Sequence, residues 1–234
     1  MAEQIRERLV RVREQIARAA ERAGRSAEDI TLITVSKTFD SPTVQKAVDA
    51  GVRDLGENRV QEALTKVPNV KGTVRWHLIG HLQSNKARQA IETFDVIHTI
   101  DSSQLVERLD RIAGEIGRRP QVLVQVDLAH EPTKSGADED TLPAIVEALD
   151  SARHLAFCGL MTLPPYFDSP ESTRPYFRRL HDTLKGLNIS RGPDLKLTEL
   201  SMGMSHDFEI AIEEGATMVR VGTAIFGSRE SGSQ

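Results

Sequence analysis

The sequence predicts a single (β/α)8 barrel of the TIM type, preceded by an extra N-terminal helix. Short apolar runs alternate with amphipathic segments, and parallel strands need such crossovers between neighbours. Eight such runs can be read, the number that closes a barrel. No G-x-G-x-x-G follows the first run, which argues against the alternative, a doubly wound open sheet. A chain of 234 residues suits one such domain, and no linker or composition shift divides it. The expectation is one domain over 1–234, with a frayed tail over 226–234.

The elements follow in order. "MAEQIRERLVRVREQIARAAERAG" places Ile5, Leu9, Val12, Ile16 and Ala20 at helical spacing, and Gly24 ends the segment. Glu3, Glu7, Glu14 and Glu21 interleave with its arginines, so it reads as an amphipathic helix rather than a signal or mitochondrial leader. Strands are predicted over 30–36, 53–56, 74–79, 95–99, 121–127, 154–160, 196–200 and 217–221. Helices are predicted near 41–50, 58–66, 83–92, 102–117, 139–150, 171–186 and 205–214. Ser41-Pro42 and Asp101-Ser102 are starting signals, and "GLNISRGPDL" reads as a loop.

Composition narrows the function. Hydrophobic residues make up 39% and charged residues 27%, enough for a packed core. Lys plus Arg number 30 against 34 Asp plus Glu, a net −4 that argues against a general nucleic-acid binder. No apolar run is long enough to span a membrane. The one cysteine, Cys158, sits in the apolar run "HLAFCGL" and reads as a small buried hydrophobe. Low cysteine use and the absence of targeting signals give a cytoplasmic expectation.

In a barrel of this kind the chemistry lies at the carboxyl ends of the strands. The first strand ends on Lys37 in "DITLITVSKTFD". An ammonium there either snorkels to water or serves as a nucleophilic amine at the barrel mouth. The later strand ends bring Glu57 and Asn58, then His77, Gly80, His81 and Gln83, Asp127, and Met161 and Thr162. The last two bring Ser201, Gly203 and Ser205, then Arg220, Gly222 and Thr223. Barrels bind phosphate at these two ends and at a short extra helix, for which "TAIFG" is the candidate. A lysine and a phosphate site on one mouth fit a Schiff-base aldolase on a phosphorylated sugar. They fit pyridoxal phosphate (PLP) equally, with Arg220 as partner of the pyridine nitrogen.

The stretches "VSKT", "GENRVQE", "WHLIGHLQSNK", "GLMTLPP" and "LSMGMSHDFEIAIEEGATMVRVGTAIFG" resemble the pyridoxal phosphate homeostasis protein family, the YggS/PROSC group. The resemblance spans nearly the whole chain. It implies a PLP fold type III barrel, related to the N-terminal barrel of alanine racemase, with Lys37 in Schiff-base linkage to pyridoxal 5'-phosphate. Ser201, Gly222 and Thr223 map onto phosphate-binding positions of the family, Arg220 onto its arginine near the cofactor, and Asn58, His81 and Met204 onto pocket positions. It further implies a role in vitamin B6 homeostasis or cofactor delivery without established enzyme activity, with PLP-dependent apo-enzymes as candidate recipients. His206 stands in the variable place of the family's M-S-x-D and reads as a surface residue, while Asp207 keeps the acid.

An amino-acid racemase is the first alternative. It needs a second acid/base from a closing domain, for which the chain holds no obvious material. Tyr166 and Tyr176, the only tyrosines, have no evident partner base. The aldolase is the second alternative, and an interaction module without cofactor the third. Lys134, in "HEPTKSG", is a candidate second amine for cofactor transfer against a plain solvated loop lysine. His77 and His81 lack a third ligand, so no metal is expected. Neither nucleic acid nor a membrane is expected as a partner, and the chain is expected to be a monomer.

Overall fold

A computed structural model describes residues 1–129 and 135–227. Eight parallel strands close in chain order. They are β1 (Thr31–Val35), β2 (Asp54–Glu57), β3 (Arg75–Leu78), β4 (Val96–Ile100), β5 (Gln121–Gln125), β6 (Ala156–Met161), β7 (Glu199–Met204) and β8 (Met218–Val221). The register that closes the barrel pairs Ile33 with Arg220 and Thr34 with Val221. The helices are α1 (Ala2–Arg22), α2 (Ser41–Asp49), α3 (Val60–Lys66), α4 (Ala87–Thr93), α5 (Ser103–Ile116), α6 (Leu142–Ser151), α7 (Arg174–Asn188), α8 (Phe208–Glu213) and α9 (Thr223–Phe226). Among the described residues, no helix is long and apolar enough to cross a membrane.

The predicted fold class and element order stand. The extra helix α1 buries Ile5, Leu9, Val12 and Ile16, each worth about 1.5–3 kcal/mol over exposure. It packs on α2, α8 and α9, across the seam where β8 meets β1. Gly24, at φ +66°, takes the left-handed turn that ends it. At α2 the capping residue is Asp40 rather than Ser41, its carboxylate accepting from Thr43 N–H at 3.0 Å.

Several boundaries differ from the sequence reading, three of them near the barrel mouth or the last turns. β7 runs over 199–204, not 196–200, because Gly203 at φ +90° bulges within the strand instead of ending it. A Cβ on Gly203 would lie 2.5 Å from Ala211 Cβ, so glycine there also admits α8. α7 continues through Gly186 to Asn188, shortening the expected loop. Phe226, placed in the frayed tail, is instead buried and stacked on Phe39 with centroids 4.5 Å apart. Residues 228–234 of that tail lie outside the described residues, as does Lys134.

Two cores result. The larger fills the space between barrel and helices. A small one, Ile33, Val96, Leu123, Met161 and Met218, plugs the barrel interior. Buried polar groups share that interior with the plug, namely His77, His98, Ser201 and Arg220.

Candidate cofactor site

Lys37 projects from the loop that follows β1 and is exposed. Its neighbours are held firmly. Ser36 is buried, donating its hydroxyl to Glu57 Oε1 at 2.6 Å and its N–H to Gly56 O at 3.0 Å. The carbonyl of Ser36 accepts from Lys66 Nζ at 2.7 Å, and the same ammonium reaches Glu57 and Glu62, each at 2.7 Å. Thr38 sits at φ +70°, a strained setting for a β-branched residue, with its N–H donated to the Glu62 carboxylate. Burial raises the Glu57 carboxyl above its usual range despite Lys66 and Ser36. Lys37 therefore stands on a loop gripped from both sides.

Across the seam, β8 ends at Val221 and α9 begins at Thr223, with Gly222 between them. Gly222 N–H donates to Ser205 Oγ at 3.2 Å. A Cβ on Gly222 would press on Val35 O and Cβ at 3.2 Å, so this position keeps β8 close to the end of β1. As the opening residues of a helix, Thr223 and Ala224 carry N–H groups with no intrahelical acceptor. The Phe39–Phe226 stack joins the lysine loop to this helix. The Lys37 loop and the turn between β8 and α9 are thereby parts of one packed unit.

Arg220 points into the barrel and is 3% exposed. It donates through Nη1 to Ser201 Oγ at 2.6 Å and through Nη2 to Thr162 O at 2.8 Å. Burial pushes its guanidinium down to about 10, so it stays charged at neutral pH. Two of its five N–H donors are thus engaged by these bonds.

The remaining expected residues are distributed as follows. Asn58, directly after β2, is half-buried, and Gly80 lets the two loops touch: a Cβ there would lie 2.2 Å from Asn58 O. His81 is exposed and pairs through Nδ1 with Asp101 Oδ2 at 3.3 Å. Met204 closes β7, its N–H donated to Asp207 Oδ1 at 2.7 Å. Ser201, expected at the phosphate, lies inside the strand, its hydroxyl held between Arg220 and His98. The hydroxyl beside Gly222 belongs to Ser205. His206 is exposed against Tyr166, and Tyr176 packs on Phe167. Cys158 turns its thiol inward, donating to Val122 O at 3.4 Å, and burial pushes it up to about 12. His77 spends both ring nitrogens on His98 and Asp54, and His81 its Nδ1 on Asp101. Sequence reasoning missed Lys66, Glu62, His98 and Asp54. The Glu62–Lys66 spacing of four on a helix was a usable signal.

These groups fit PLP on chemistry: an accessible amine, a cradle of N–H and hydroxyl donors for a phosphate, and a donor-only guanidinium for a pyridine lone pair. Comparison with known proteins points the same way. A profile described as "Alanine racemase, N-terminal domain" matches residues 8–230. A protein of Aquifex aeolicus named pyridoxal phosphate homeostasis protein is 41% identical over 225 residues, 96% of this chain and 98% of the relative. The protein of that name from Escherichia coli K12 is 41% identical over 212 residues, 87% of each chain. The chain belongs to the pyridoxal phosphate homeostasis protein family. Among solved structures, that of PipY of Synechococcus elongatus PCC7942 with PLP bound matches at TM-score 0.85 and 42% identity, covering 95% of this chain and all of that one. An alanine racemase of Clostridium difficile, 18% identical, shares the fold at TM-score 0.72 over 98% of this chain and 58% of its own.

Proposed function

We propose that the chain binds pyridoxal 5'-phosphate as a Schiff base on Lys37 and serves in intracellular PLP homeostasis or delivery rather than in turnover. The observation that carries this reading is the joining of the Lys37 loop to the Gly222–Thr223 cradle by the Phe39–Phe226 stack, with Arg220 inside the same mouth. PLP supplies an aldehyde for the amine, a phosphate for the cradle and a ring nitrogen for the guanidinium. Asn58, His81 and Met204 are assigned to the walls, Ser205, Gly222 and Thr223 to the phosphate, and Ser201 to Arg220. The name that the two relatives above carry, of a homeostasis protein, supports holding over catalysis.

On this reading the protein works as a single domain and a monomer in the cytoplasm, passing PLP to apo-enzymes. The test is the visible absorption spectrum of the purified chain with and without added PLP, beside Lys37→Ala. A Schiff-base band in wild type and none in the variant is the expected result. No band in either, even with excess PLP, overturns the proposal.

A further inference from the structure

A hydrogen-bonded chain crosses the barrel interior from Arg220, near the mouth, to Asp54 at the start of β2. Arg220 Nη1 lies 2.6 Å from Ser201 Oγ, which lies 2.9 Å from His98 Nδ1. His98 Nε2 is 2.9 Å from His77 Nδ1, and His77 Nε2 is 2.9 Å from Asp54 Oδ1. The middle members are fully buried, and five separate strands contribute one residue each. Asp54 is the end that reaches outward. It also pairs with Arg75 Nε at 2.7 Å and lines a cavity of about 440 Å³ between α1 and the starts of β1 and β2.

With both rings neutral, the two ends dictate the direction of every bond between them. A guanidinium only donates and a carboxylate only accepts. His77 therefore donates from Nε2 and accepts at Nδ1, which requires His98 to donate from Nε2 and accept at Nδ1 from the Ser201 hydroxyl. Ser201 in turn accepts from Arg220. With both histidines neutral, all links are satisfied only in the Nε2–H tautomer. Burial favours the neutral form of both rings. At Asp54 burial opposes ionisation, but the bonds from His77 and Arg75 outweigh it.

We infer that Asp54, His77, His98 and Ser201 are positioning residues, a one-way chain that holds Arg220 aimed at the pyridine nitrogen of the cofactor. The inference rests on the PLP reading above and extends it to residues on the opposite face of the barrel. A second link, from Nη2 to Thr162 O, fixes the plane of the guanidinium, and the chain fixes which edge is left to donate.

The test has two arms on the full chain. In nitrogen NMR of the protein without cofactor, His77 and His98 should both appear as neutral Nε2–H tautomers at neutral pH. Either ring in the opposite tautomer overturns the chain. In the second arm, Asp54→Ala and Ser201→Ala, which cut the chain at opposite ends, are loaded with PLP. Both should shift the visible band in the same direction and weaken PLP binding by about tenfold, the loss of one bond to a charged group. Borohydride reduction should still mark Lys37 in each. Wild-type spectrum and affinity in Asp54→Ala overturn the inference while leaving the PLP reading intact. Failure of wild type itself to load Lys37 removes both, a different and recognisable result.

Discussion

Lys66 Nζ lies 2.7 Å from Glu57 Oε1, and both side chains bond to Ser36, the residue before Lys37. Neither group is accessible, and Glu57 Oε2 has no hydrogen-bond partner among the described residues. Lys66→Met would leave a buried carboxylate without its cation, a loss of about 3–5 kcal/mol. Urea unfolding should show it, and the doubly apolar Lys66→Met/Glu57→Leu should recover most of it. The Lys37 loop loses its grip in the single variant, so the rate of Lys37 modification by PLP should fall as well.

The buried histidines set an acid limit. Burial, against the pull of Asp54, holds His77 below 6.5, and burial with neighbouring positive charge holds His98 well below it. Between those folded values and 6.5 the unfolded chain binds more protons, so stability falls as pH drops below about 6.5. Each ring contributes at most about 1.4 kcal/mol per pH unit. Glu57 and Asp207, raised by burial, act in the opposite sense, losing stability as pH climbs out of the usual carboxylate range. Comparing urea midpoints from pH 7.5 to 5.5 in wild type and His98→Asn separates the two. The variant should show the shallower decline on acidification.

Gly80 offers a way to move Asn58 without touching it. A Cβ at Gly80 would lie 2.2 Å from Asn58 O and 2.8 Å from its Cα, so Gly80→Ala must displace that loop. Overpacking of this kind costs about 1–3 kcal/mol. Gly24→Ala is the control: its φ of +66° makes alanine unfavourable by about 1 kcal/mol, but nothing surrounds it. Both variants should melt earlier, and only Gly80→Ala should also bind PLP more weakly.

Local patterns carried the barrel and the mouth, because strand ends are marked by apolar runs stopping at Lys37, Asn58 and Gly222. The interior was less legible. Ser201 reads as a residue of the barrel mouth when the strand is taken to stop at 200, and as an interior residue once the bulge carries β7 to Met204. His98, in "DVIHTI", is a polar residue within an apolar strand, a visible signal, but its partners lie 21 and 103 residues away. Lys66 looks like an ordinary basic residue at a helix end. Only folding brings it under Ser36, 30 residues earlier.

The place of Ser201 inside the barrel yields a direct contrast. Ser205 Oγ accepts from Gly222 N–H at 3.2 Å, whereas Ser201 Oγ is occupied by Arg220 at 2.6 Å. Ser205 should therefore serve the phosphate. Ser205→Ala removes one hydroxyl donor to an anion, worth about 1.5–3 kcal/mol, or roughly tenfold or more in affinity. Pyridoxal, which has the aldehyde and ring nitrogen but no phosphate, provides the comparison. Ser205→Ala should weaken PLP binding and leave pyridoxal binding to Lys37 as in wild type, while Ser201→Ala, acting through the ring, should weaken both. Absorbance titrations of the two variants with the two ligands decide it, and a Ser205→Ala protein with wild-type PLP affinity would return the phosphate role to the backbone of Gly222 and Thr223 alone.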